Sequence, residues 1–193
     1  MLLITEEPLR DLKLVAEARE DGKRYLYIEG PFMVAEQLNA NGRVYRRDVM
    51  EREMNRYTTE VIKNGQGYGE LEHREGPKIN LDRVSHLIEK LEMGKDNVVY
   101  GRAKLLETTC GLQAKALIDG GAKLGVSSRG LGSLKAGTNG IMEVQNDFRL
   151  VTAADIVANP SAPGAFVKGI MEGIEFYFDD IEIDNNDFKN GCF

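Results

Sequence analysis

The chain has 193 residues, 42% of them hydrophobic, which suits one domain with a sizeable core. It carries 31 acidic against 25 basic residues, a formal net charge of −6. This argues against a protein that tracks nucleic-acid phosphates, which needs a concentrated basic footprint. No apolar run approaches the length of a membrane-spanning helix. The opening "MLLITEEPLR" turns acidic too soon for a signal peptide. The two cysteines, Cys110 and Cys192, lie far apart and imply neither a disulfide framework nor a zinc motif. A reducing compartment, no membrane partner, no nucleic-acid partner, no metal and no cofactor are the expectations.

In chain order, residues 1–22 are charged and expected as a flexible arm, followed by one domain over 23–183 and an acidic, Asn-rich tail over 184–193. "RYLYIEG" (24–30) and "FMVAEQL" (32–38) read as two strands, with a turn at Asn41-Gly42. Arg43, Arg46 and Arg47 read as a solvated turn and helix start. Asp48 is placed to cap a helix to about Lys63, with Met50, Met54, Tyr57 and Val61 on one face and Gly65 after its end. "GYGELEH" (67–73) is expected to be extended. Asp82 is placed to cap a second helix with Val84, Leu87, Ile88 and Leu91 on its apolar face and Gly94 as its stop. "NVVYGRAKLL" (97–106) reads as a strand, with Gly101 as a bulge or close approach. A third helix fits Cys110 to Asp119. "KLGVSS" reads as a strand entering a Gly-rich turn, residues 141–158 as one or two strands, "PSAPGA" as a turn and "GIEFYFDDIEI" as a last strand. Many strands joined as hairpins and about three helices give an α+β fold around a largely antiparallel sheet or barrel.

The stretch "GVSSRGLGS" (125–133) raises the question of chemistry. A serine hydroxyl needs a base within reach, donors for an oxyanion and an acid that orients the base. Ser127, Ser128 and Ser133 are the candidate nucleophiles, although a Gly/Ser run of this kind is ordinarily a turn and the spacing is not G-x-S-x-G. The chain has two histidines, His73 at the mouth of a loop and His86 inside the expected second helix. Position favours His73. Asp155 interrupts the apolar stretch "VTAADIVANP", a costly place for an acid without a partner. Glu70 and Asp82 compete with it, being near His73. No phosphate-binding motif and no metal-ligand spacing is present.

"GELEH" (69–73), "INLDRVSH" (79–86), "VYGRAKLL" (99–106), "GVSSRGLGSL" (125–134) and "DIVANPSAPGA" (155–165) occur in that order, preceded by "YIEGPFMVAEQLNANGRVY" (27–45). Together they resemble the prohead core proteases of large contractile-tailed bacteriophages, a family related to the herpesvirus assemblins. The resemblance implies a mostly antiparallel β-barrel surrounded by helices. It also implies a serine endopeptidase of the prohead interior, in the host cytoplasm, whose substrates are scaffold core and capsid proteins. Cleavage after glutamate and self-cleavage come with it, and Ile4-Thr5-Glu6 and Ile170-Met171-Glu172 are strings of the expected kind. It aligns Ser127 with the nucleophile, His73 with the base and Asp155 with the orienting acid; the assemblins use a second histidine, for which His86 is the alternative. Ser128, Arg129 and Gly130 fall where oxyanion or substrate contacts are expected. By analogy with the herpesvirus enzymes, there is room for a homo-oligomer. The other reading is a catalytically inactive scaffold or capsid-interior protein with the same fold.

Overall fold

The computed structural model describes residues 2–5, 13–18, 24–39, 41–74, 76–137 and 140–158. The expected "PSAPGA" turn, last strand and acidic tail lie outside them. In chain order the elements are β1 (Leu2–Thr5), β2 (Lys13–Ala18), β3 (Arg24–Val34), β4 (Arg43–Val44), α1 (Arg47–Tyr57), β5 (Tyr68–Glu70), β6 (Val84–Met93), β7 (Val98–Leu105), α2 (Thr109–Asp119), β8 (Leu124–Gly132), β9 (Leu134–Ala136), β10 (Met142–Val144) and β11 (Arg149–Ala158).

They form an antiparallel five-stranded sheet in the order β2-β3-β7-β6-β5 and a three-stranded sheet β1-β8-β11. A small sheet β4-β10-β9 accompanies them. The two larger sheets meet at a parallel bridge between Leu71 and Ile156. No closed barrel forms among the described residues, so the expected barrel is replaced by an α+β fold of mainly antiparallel sheets with two helices. Ile28, Phe32, Ile88, Val99, Ala103, Val126 and Ile156 join the sheets in one core, capped by Tyr45 set edge-on to Phe148.

Several elements differ from expectation. Part of the expected arm is structured: β1 pairs with β8 and buries Ile4, and β2 pairs with β3. The strands expected over 24–30 and 32–38 are one strand, with a register shift after Pro31, which has no N–H for a ladder. Gly101 supplies the expected close approach, because the Phe32 ring lies where its Cβ would be. Asp48 sits in the first turn of α1 without capping it and pairs with Arg46 instead. Helix α1 buries Val49, Met50, Met54 and Tyr57, widens over Thr58–Ile62 and stops before Gly65 at φ +70°.

The largest difference is the expected helix after Asp82. Residues Leu81–Arg83 make a single tight turn, and Val84–Met93 is strand β6, paired on both sides. Apolar residues at 84, 87, 88 and 91 satisfy a helical period. Two flanking strands instead offer ladder partners to every other residue, and this tertiary context outweighs local propensity. The Gly-rich turn after "KLGVSS" is also absent. Strand β8 runs through Gly132, and its glycines serve packing: the ring of Phe148 occupies the space a Cβ on Gly130 would need.

Candidate active site

The first register irregularity of strand β11 follows Leu150, whose backbone is held from helix α1. The buried Glu53 carboxylate accepts the Leu150 N–H at 2.6 Å, and Arg56 donates to the Leu150 carbonyl at 3.1 Å. A second irregularity lies between Thr152 and Asp155, after which Asp155 stands directly opposite Ser127 on β8. Cross-strand partners point to the same side of a sheet and neighbours along a strand to opposite sides. Ser127, Arg129 and Asp155 therefore share one side, and Ser128 points to the other.

His73 reaches that same side because the chain changes partners after β5. Leu71 bridges to Ile156 on β11, and the Glu72 N–H donates to the Ile156 carbonyl at 2.7 Å. Glu72 holds a left-handed φ of +60°, a conformation that costs a non-glycine residue about 1 kcal/mol and turns the chain over the end of the sheet. The Nδ1 of His73 then lies 3.0 Å from Oδ2 of Asp155. A carboxylate accepts, so Nδ1 carries the hydrogen and Nε2 is left with its lone pair.

Asp155 is completely buried and receives four donors. The Glu70 N–H reaches Oδ1 at 2.8 Å, His73 and the Nε of Arg129 both reach Oδ2, Arg129 at 2.6 Å, and Arg129 Nη2 stands 3.5 Å from Oδ1. Burial alone would push this carboxyl up; the His73 hydrogen bond and the Arg129 charge outweigh it and hold the group below the ordinary carboxylate value. Arg129 is the largest fully buried side chain among the described residues. Its guanidinium reaches Asp155, the Gly76 and Lys78 carbonyls and Glu70, and so ties β8 to the loop that carries His73. The backbone of Arg129 and Gly130 is in register with β1 and β11 on either side, whereas Ser128 falls at the irregularity of β11 and past the end of β1.

The other histidine is placed elsewhere. His86 is fully buried on β6, its Nε2 donating to the Ala154 carbonyl at 3.0 Å and its Nδ1 facing the Ser85 hydroxyl at 2.9 Å. Gly69 is packed so closely on this ring that a methyl group would collide with it. Burial lowers the His86 pKa to about 4, against weaker opposing pulls from Asp155 and the Ala154 carbonyl. The unfolded chain thus binds a proton near pH 6.5 that the folded chain refuses until about pH 4, so stability falls with pH across that window. About 2 kcal/mol of it is lost by pH 5 on this account. Urea unfolding at pH 7.5 and 5.0 measures it; the loss will be smaller by about that amount in His86→Gln, and an equal loss in the two proteins refutes it.

A serine opposite a buried acid that hydrogen-bonds a histidine is an arrangement able to support acyl-transfer chemistry. A family model described as prohead core protein serine protease matches residues 2–175 of the chain. The chain belongs to that family. It is a serine protease of the prohead core, taking part in phage head maturation, which sets aside the reading as an inactive scaffold protein. It is 42% identical over 145 residues to the prohead core protein protease of Enterobacteria phage T4, covering 74% of this chain and 68% of that one. The solved structure of the bacteriophage T4 capsid assembly protease, gp21, superposes with a TM-score of 0.78 at 32% identity, over 82% of this chain and 98% of that one.

Glu70 is the functional candidate that sequence reasoning placed only as a rival to Asp155. It is fully buried beside the histidine loop, with Oε1 accepting the Asn80 N–H at 2.5 Å and Oε2 standing 3.3 Å from Arg129. The signal was an acid inside a strand-like segment, the same signal that singled out Asp155. Asp82 lies at the surface, paired with Arg74, and Ser133 is bound to Asp147 at an exposed site.

Proposed function

We propose that Ser127 is the nucleophile, His73 the general base and Asp155 the acid that orients it. The chain then acts as an endopeptidase on scaffold core and capsid proteins inside the prohead, cutting after glutamate and trimming its own ends. The observation that carries the reading is the His73–Asp155 contact at 3.0 Å with Ser127 directly opposite Asp155. Asp155 accepts the Nδ1 hydrogen, which leaves Nε2 to take the serine proton as the hydroxyl oxygen attacks the scissile carbonyl. The imidazolium gives that proton to the leaving amine, and water releases the acyl group by the same steps in reverse roles. For the oxyanion we retain the backbone N–H of Ser128, the one of the three expected donor positions with no register partner on either neighbouring strand among the described residues.

The test is to incubate purified protein with a scaffold-derived polypeptide and sequence the new termini of both. Cuts after glutamate in the substrate, and new ends after Glu6 or Glu172 in the protease itself, are the expected result. Cuts with no preference for glutamate would overturn the specificity, and intact protease ends while substrate is cut would overturn the self-trimming.

A further inference from the structure

Two buried carboxylates serve one buried guanidinium in this protein. Arg129 and Asp155 make an ion pair with Nε to Oδ2 at 2.6 Å, and His73 must share that same oxygen. An acid already neutralised by an arginine is a weak counter-ion for an imidazolium. Glu70 changes the balance. Its Oε2 lies 3.3 Å from Arg129 Nη2, both side chains are fully buried, and among the described residues that oxygen has no hydrogen bond of good geometry. Counting formal charges, Glu70, Arg129 and Asp155 sum to −1 while His73 is neutral, and to zero once His73 has taken the serine proton. Without Glu70 the cluster would be neutral at rest and +1 at the moment of reaction, and an uncompensated buried charge is costly.

Resting on the triad reading above, we propose that Glu70 is a positioning residue for catalysis: through Arg129 it leaves Asp155 free to stabilise the protonated His73, and through Asn80 it anchors the loop that carries His73. The same guanidinium donates to the carbonyls of Gly76 at 3.2 Å and Lys78 at 3.5 Å, so charge balance and loop position are set by one group. Among the described residues, the charged and titratable groups joined in this cluster are Glu70 on β5, His73 on the loop after it, Arg129 on β8 and Asp155 on β11. His86 on β6 stays neutral over the working range, and Tyr57 from α1 is pushed up to about 12 by burial, so neither carries charge there.

Glu70→Gln keeps the size of the side chain and the oxygen that Asn80 uses while removing the charge. The expected result is a fall in kcat of about 10- to 100-fold with KM changed less than about threefold, and an acid limb of the kcat/KM profile displaced to lower pH by at least about half a unit. The double variant Glu70→Gln/Arg129→Met removes both charges together and will return the acid limb towards its original position, which lost stability alone does not do. A second readout does not depend on turnover. In a Ser127→Ala background, with its two histidines isotope-labelled, Glu70→Gln will make the His73 ring titrate at lower pH than it does with Glu70 present. An acid limb and a His73 titration both unmoved by Glu70→Gln overturn the proposal. Full activity in His73→Ala would instead refute the triad reading, whatever the ring titration shows.

Discussion

Ser127→Ala will abolish peptide cleavage, lowering the rate on the order of 10³-fold or more, whereas Ser128→Ala will keep most of it. The two serines are adjacent and both buried, Ser127 at 1% and Ser128 at 4% exposure, so exposure does not separate them. Their side does. Ser127 is the cross-strand partner of Asp155, which holds His73, and strand alternation sends Ser128 to the opposite side of the sheet. The role retained for Ser128 uses its backbone N–H, which alanine preserves. Steady-state cleavage of a scaffold-derived peptide ending in glutamate, with both variants shown to be folded by circular dichroism, measures the contrast. The reverse ranking would mean that the hydroxyl of Ser128 is the nucleophile and that the alternation argument is wrong.

The catalytic candidates were legible in the sequence because each breaks a local rule. Asp155 is an acid in an apolar run, His73 follows a strand at a loop mouth, and Ser127 sits among glycines. What could not be read was the element that holds the serine. Composition makes "GVSSRGLGS" a turn, yet the chain there is a strand between β1 and β11, and Gly130 is required by the Phe148 ring that covers it. Such a contact is set by a residue eighteen positions further on and leaves no local mark. The stretch Val84–Met93 failed for a related reason. Its apolar spacing fits a helix, and only the pairing to β5 and β7 makes it a strand. The same pairing decides His86, which a helix would leave at its surface or at the core edge and which the strand buries against Ala154. Arg129 was visible as a cation among small residues; that it faces inward follows from sharing the side of Asp155, which needs the register.

Asp155→Asn will lower kcat/KM on the order of 10²- to 10⁴-fold and will also destabilise the fold, two losses that the structure predicts separately. The catalytic loss follows from the tautomer. The carboxylate accepts from His73 Nδ1, Arg129 Nε and the Glu70 N–H, and an amide that turns its oxygen to one of these brings its own NH₂ against another donor. The imidazole then loses the partner that keeps its hydrogen on Nδ1. The stability loss follows from Arg129, whose buried charge loses the Asp155 carboxylate and is left facing Glu70 at 3.3 Å and two carbonyl oxygens. Breaking a buried ion pair from one side costs about 3–5 kcal/mol. The wild-type carboxyl is held below its ordinary value of 3.8, so the stability it contributes is present above that pH and is lost only as the pH falls through the depressed value. The asparagine variant lacks this contribution at neutral pH already. Urea unfolding at pH 7.5 reads the stability term, and kcat/KM corrected for the folded fraction reads the catalytic one. A variant that unfolds easily but cleaves at more than a tenth of the normal corrected rate would show that Asp155 holds Arg129 and the sheet together without orienting His73, and the acid of the triad would have to be sought elsewhere.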